Sequence, residues 1–248
     1  MAFLIYFPGR QSTLAITLAT GLGVERLQQR VDVLEEKAIA GLPFTQADRV
    51  FLKDLYTCFA KGARLTVNLR QSAELMDHYL GRSGEDLEIE PRVFVGSREV
   101  QQQVTALRRE IASDLRQRRT MNDEYTSPTF YMGDPEFLES HVALYFGHIS
   151  VRPHRMSNGN VLLQWRADMP WEWPSYDSLR AKHGDPHAQC FPLPNLKSML
   201  LGPKYSLRVD DGLGEHLTKI GLAKPFRVFS QWESHIDVPV DEGQHKAR

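Results

Sequence analysis

The segment from Trp171 to Pro194 gathers more chemically capable side chains than any other stretch of the chain. Glu172, Asp177, His183, Asp185 and His187 lie there among Trp171, Trp173, Tyr176 and Phe191. Loops longer than about 15 residues inside a compact domain usually carry function or are disordered. The aromatic and proline content here disfavours disorder. A carboxylate beside an imidazole binds a divalent cation, or pairs a general base with an electrostatic stabiliser. The run His183-Gly-Asp185-Pro-His187 has the residue types of a metal site, but Gly184 and Pro186 rule out the helix that would put both histidines on one face. A surface loop with incidental polar groups competes for the same residues. Asp210 and Asp211 precede a helical segment and read as its N-terminal cap and dipole partners.

The elements that must position these groups follow from periodicity. Leu27, Val31, Leu34 and Ala38 recur at helical spacing, and Gly41 ends the run. Thr45 and Asp48 form a capped start to a second helix carrying Val50, Phe51, Leu55 and Phe59, which Gly62 closes. A third helix begins near Ser72, holds Leu75, Met76 and Tyr79, and stops at Gly81. Val100, Val104, Leu107, Ile111 and Leu115 make the cleanest stripe, with an arginine-rich outer face that reads as solvated. Met121 to Pro135 breaks the pattern and marks a boundary between halves. Val142, Leu144 and Phe146 then alternate, and Asn158-Gly159 turns the chain into a hairpin returning through Val161, Leu163 and Trp165. Pro170 to Pro203 reads as irregular. A short helix around Leu213, Leu217 and Ile220, closed by Gly221, and a strand through Phe226, Val228 and Trp232 complete the pass.

The expected fold is therefore α+β, with a helical N-terminal half followed by an antiparallel β-sheet or half-barrel. A chain of 248 residues has length for one large domain or two modest ones. The division expected is 1–70 as a helical delivery region and 71–240 as an activity domain, helical over 71–120 and β-rich over 136–240. With 30 basic and 31 acidic residues, a dedicated nucleic-acid binder is disfavoured. Two cysteines, Cys58 and Cys190, allow one bridge but no disulfide scaffold. The apolar start lacks the basic residue and small-residue cleavage site of a secretory signal, so synthesis in the cytoplasm and exit by lysis or a secretion machine are expected. No P-loop, dinucleotide-binding glycine fingerprint, G-x-S-x-G elbow or H-E-x-x-H pair occurs.

Four stretches in order resemble the activity region of colicin M and its lipid II-degrading bacteriocin relatives. They are Glu74 to Gly84 with its His78-Tyr79-Leu80, Ala143 to Ile149 with the hairpin beyond it, Tyr176-Asp177 with His183 six residues on, and Gly214-Glu215 to Gly221 followed by Phe226 and Val228. The resemblance spans about residues 74–236. Pro174 stands where the family has an acid, and Gly184 where it has an arginine. Asp168, Glu172 or Asp185 would supply the acid, and Arg180 or Arg208 the cation.

The resemblance implies an antibacterial toxin, a Mg²⁺-assisted phosphodiesterase cutting between the undecaprenyl chain and the pyrophosphate of lipid II and so blocking peptidoglycan synthesis. It would act at the membrane surface in the periplasm of a competing cell, and a cognate immunity protein is implied. Asp177, Tyr176 and His183 would be catalytic: Asp177 acting through the cation, His183 activating water, Tyr176 orienting phosphate. Asp177, Asp185 and His187 are the expected metal ligands. Two alternatives stay open. One is a different metal-dependent hydrolase using the His183/Asp185/His187 loop; the other is a non-enzymatic immunity or adaptor protein.

Overall fold

A computed structural model describes residues 17, 21–64, 70–131, 146–187, 190–193, 200–201 and 206–237. The chain is α+β and divides into two compact units, each made from two stretches of sequence. The first takes Met1–Gly84 and Glu172–Pro225; the second takes Glu85–Trp171 and Phe226–Arg248. Both units are discontinuous, whereas the division at residues 70/71 expected from the sequence is continuous.

The first unit is mainly helical. Helix α1 (Val24–Ile39) buries Val24, Leu27, Val31 and Leu34, and Gly41 adopts the left-handed φ of 66° that ends it. Helix α2 (Gln46–Arg64) starts at a reciprocal capping box: Asp48 N–H donates to Thr45 Oγ1 at 3.2 Å, and Thr45 N–H to Asp48 Oδ2 at 3.0 Å. The helix runs past Gly62, because one glycine costs only about 1 kcal/mol and packing outweighs it. Helix α3 (Arg70–Gly81) lies against α2 and buries Leu75 and Tyr79 fully, while α2 contributes Leu52, Leu55 and Tyr56. Cys58 in α2 is a buried free thiol, and burial pushes it up to about 11.

The second unit is a sheet with one long helix. Strand β1 (Leu87–Glu88), helix α4 (Pro91–Val95) and helix α5 (Arg98–Arg116) come first, followed by β2 (Tyr125–Thr126), β3 (Phe130–Tyr131), β4 (Phe146–Arg155) and β5 (Val161–Trp171). The last strand of this sheet, β8 (Phe226–Ile236), arrives from the far end of the chain. The order is β1-β8-β5-β4-β2, with β3 also on β4; every pairing is antiparallel except β1 on β8. Residues 142–145, read from the sequence as the start of the β4 strand, lie outside the described residues. Gly159 supplies the positive φ of 88° in the β4–β5 turn. Val161, Leu163, Trp165, Ala167 and Met169 alternate into the core, the period of two seen in the sequence. The stripe Val100, Val104, Leu107 and Ile111 of α5 is buried, each side chain contributing about 1.5–3 kcal/mol. Arg108 secures the helix by donating to His235 O at 2.9 Å.

Candidate metal centre

The site forms in the first unit, where the described residues of the stretch read as irregular include regular elements. It contains helix α6 (Tyr176–His183) and strand β6 (Cys190–Leu193). Ser175 Oγ accepts from Ser178 N–H at 3.1 Å to start α6, and Gly184 at φ 75° ends it. His183 is thus the last helical residue, while His187 lies beyond the break. Strand β7 (Leu207–Asp210) pairs with β6 and runs straight into helix α7 (Asp211–Lys219).

Helix α1 lies along β7. Gln28 and Glu35 are seven residues apart, two turns of one face. Gln28 donates through Nε2 to Arg208 O at 2.9 Å and accepts through Oε1 from Arg208 N–H at 2.7 Å. Glu35 Oε1 accepts from Asp210 N–H at 2.8 Å. Two side chains of a helix therefore satisfy backbone groups that a neighbouring strand would otherwise take.

The same arrangement brings Glu35 and Asp210 to His187. His187 Nδ1 donates to Asp210 Oδ2, and one ligating atom from each of the three residues lies within 4.8 Å of the others. Both acids are buried, at 6 % and 5 % exposure, while the imidazole is exposed. This group can hold a metal ion. His187 is set in place by its own loop, its N–H donating to Asp185 Oδ1 at 2.9 Å, and its ring meets the Tyr176 ring edge-on with centroids 6.4 Å apart. An open cavity of about 520 Å³ is lined by all three residues, with Asp32, Glu36 and Arg208 also on its wall.

Electrostatics mark the same place. Burial pushes the Glu35 carboxyl up to about 7, helped by the charges of Asp210 and Asp32 and opposed by the Asp210 backbone bond and by His187. Asp211 is also pushed up to about 7, by burial and then by Asp210. The bond to Asp210 raises His187. Burial raises Tyr176, whose hydroxyl has no hydrogen-bond partner among the described residues; the acids Glu35, Asp210 and Asp211 add to the rise. Such a density of perturbed groups in one cluster, with Glu35 and His187 lining the cavity, is characteristic of functional sites.

The residues singled out from the sequence fall differently. Of the expected metal ligands Asp177, Asp185 and His187, only His187 joins the ligating group. Asp185 is exposed and holds the His187 backbone instead. Asp177 is exposed in the first turn of α6, and His183 is exposed in its last turn. Six residues along a helix place them about 120° apart around its axis, so they do not converge. Their ordinary roles there are to complement the helix dipole. Tyr176 alone of the expected catalytic trio reaches the centre. Asp210, expected to cap α7, makes no side-chain cap bond and turns to His187.

Glu35 and Asp210 escaped sequence reasoning, yet Glu35 carried a signal. It occupies the apolar register of α1, four residues after Val31 and one after Leu34, where a charge is costly without a purpose. Compared with known proteins, the chain matches no family model, and no curated protein or solved structure is significantly similar to it.

Proposed function

We propose that the chain is a metal-dependent hydrolase whose divalent cation is held by Glu35, His187 and Asp210. The observation that carries this reading is the convergence of one imidazole and two buried carboxylates from positions 35, 187 and 210 at the wall of an open cavity. Buried carboxylates persist when paired or when they coordinate metals, and once Glu35 ionises, two against one imidazole leave a negative surplus that a cation answers. A bound cation lowers the pKa of its water towards neutrality and supplies a nucleophile. An imidazole beside two carboxylates suits Mn²⁺, Zn²⁺ or Fe²⁺ better than Mg²⁺, which prefers oxygen ligands alone. The test is calorimetric titration of the metal-free chain with Mn²⁺, Zn²⁺ and Mg²⁺, beside Asp210→Asn. Saturable binding that the substitution abolishes supports the centre, and equal behaviour of the two proteins removes it.

A narrower reading takes the substrate to be the lipid-linked diphosphate that the colicin M resemblance implies, with Mg²⁺ as its cation. Two of the four resembling stretches, the first and the fourth, meet within the first unit, and the third lies beside the start of α7, the helix of the fourth, which favours it. Tyr79 Oη donates to Gly214 O at 3.0 Å and shares a 2.6 Å bond with Thr218 Oγ1, and the Tyr176 ring packs against Gly212. Among the described residues no helix is long and apolar enough to cross a membrane, so this reading has the chain reach its substrate from the periplasmic water phase. Directing wild-type chain to the periplasm of a susceptible bacterium, with Asp210→Asn as the control, tests it together with undecaprenol release from purified lipid II. Lysis by wild type alone is expected. A folded, exported and harmless wild type sinks the lipid II reading and leaves the metal centre standing.

A further inference from the structure

The second unit holds a charge arrangement that the metal centre does not involve. Asp168 on β5 is only 5 % exposed and lies on the opposite side of the strand from Trp165, Ala167 and Met169. Arg166 donates through Nε and Nη2 to Asp168 Oδ2 at 3.1 and 2.8 Å. Arg227 donates through Nε and Nη2 to Asp168 Oδ1 at 3.0 and 2.5 Å. The Arg166 guanidinium also lies over the Phe229 ring, 4.3 Å from its centroid. Both arginines are thereby locked in position, and both hold the Asp168 carboxyl below its ordinary range despite its burial.

The charges do not balance. One arginine suffices to neutralise Asp168, and neither makes a further ion pair among the described residues, Glu88 of β1 standing in register with Phe229 without one. The residues opposite Arg166 in the ladder are Ser150 and Gln231, both neutral. Glu233 accepts from Gln164, and Arg152 pairs with Glu124. A guanidinium carries five N–H groups. Each of these two bonds Asp168 through Nε and Nη2, and no further bond from Nη1 to a side chain or backbone is made among the described residues. The two arginine side chains stay 39 % and 55 % exposed while the carboxylate beneath them is 6 % exposed. The result is a pair of fixed, partly exposed forks with one surplus positive charge, the donor geometry that recognises phosphate oxygens.

The geometry points to an anion site formed by Arg166 and Arg227 on the solvent-facing side of β5 and β8, taking a phosphate group. Asp168 is its positioning residue, fixing both guanidiniums before the ligand arrives, so little side-chain entropy is lost on binding. The site stands independently of the metal reading, since it uses none of Glu35, His187 or Asp210.

The experiment is titration of the full chain with inorganic phosphate at low ionic strength, followed by calorimetry and ³¹P NMR. Saturable binding is expected, weakened about tenfold in Arg227→Ala. Arg227→Lys should weaken it nearly as much, because it keeps the charge and loses the fork. Arg109→Ala, on the basic face of α5, should bind as wild type. Glycerol phosphate and vesicles containing phosphatidic acid, titrated in parallel, assign the source as a soluble phosphate or a lipid headgroup. Absence of saturable binding to every probe overturns the site, as does unchanged affinity in Arg227→Ala with its circular dichroism intact.

Discussion

Glu35→Gln offers the sharpest perturbation of the candidate centre, because stability and metal binding should move in opposite directions. The folded protein holds the Glu35 carboxyl at about 7 against an ordinary 4.5, with burial as the first cause. A carboxyl raised in this way contributes stability that is fully present below pH 4.5 and is lost as pH rises through 7. At pH 8 the ionised group costs the folded state about 3 kcal/mol relative to a protonated one. Glutamine keeps the acceptor for Asp210 N–H and has no charge to bury. Metal-free Glu35→Gln is therefore expected to be more stable than wild type at pH 8, by about 1–3 kcal/mol once the lost attraction to His187 is allowed for. The gain should shrink towards zero at pH 5. In a chain of this length 1 kcal/mol moves Tm by about 2–4 °C, so calorimetry at both pH values resolves it. Manganese at a hundredfold excess over its Kd should then raise wild type by about 2.7 kcal/mol and leave Glu35→Gln unmoved. A variant less stable than wild type at pH 8 without metal, or one stabilised equally by manganese, refutes the reasoning.

Four further outcomes follow from the same structure. Metal affinity should increase with pH, since His187 must surrender the proton that Asp210 stabilises before its nitrogen can coordinate; a pH-independent Kd between pH 5 and 8 contradicts this. Asp177→Asn should leave manganese binding unchanged, because Asp177 is exposed in the first turn of α6 and outside the ligating group; a weakened Kd would restore it to the site. Gly212→Ala should lose about 1–3 kcal/mol in denaturant unfolding, as the added Cβ would come within 2.5 Å of the Tyr176 ring. Thr45→Ala should lose about 1 kcal/mol by the same measurement, through half of a reciprocal cap.

Glu35 sits in α1 for reasons that α1 itself does not contain. Within the helix it is a polar residue in an apolar register, a local conflict. The conflict resolves only when the backbone of Asp210 arrives at its oxygen and His187 stands across from it. Local conflicts of this kind concentrate at functional sites.

What the chain determined alone is the part written in nearest neighbours. The period of α5, the capping box of α2, the Asn158-Gly159 turn and the alternation along β5 depend on residues a few positions apart. Their physics is complete within a helical turn or a strand pair, and so they were legible. The centre is not local: its ligands are separated by 152 and 23 positions and meet because β7 lays its edge along α1. Tyr176, Asp177 and His183, which the family resemblance grouped, share α6, where only Tyr176 faces His187 and the other two lie about 120° apart around the axis. Folding chose which acids lost their water, and the convergence of two buried carboxylates on an exposed imidazole made a group that can hold a cation.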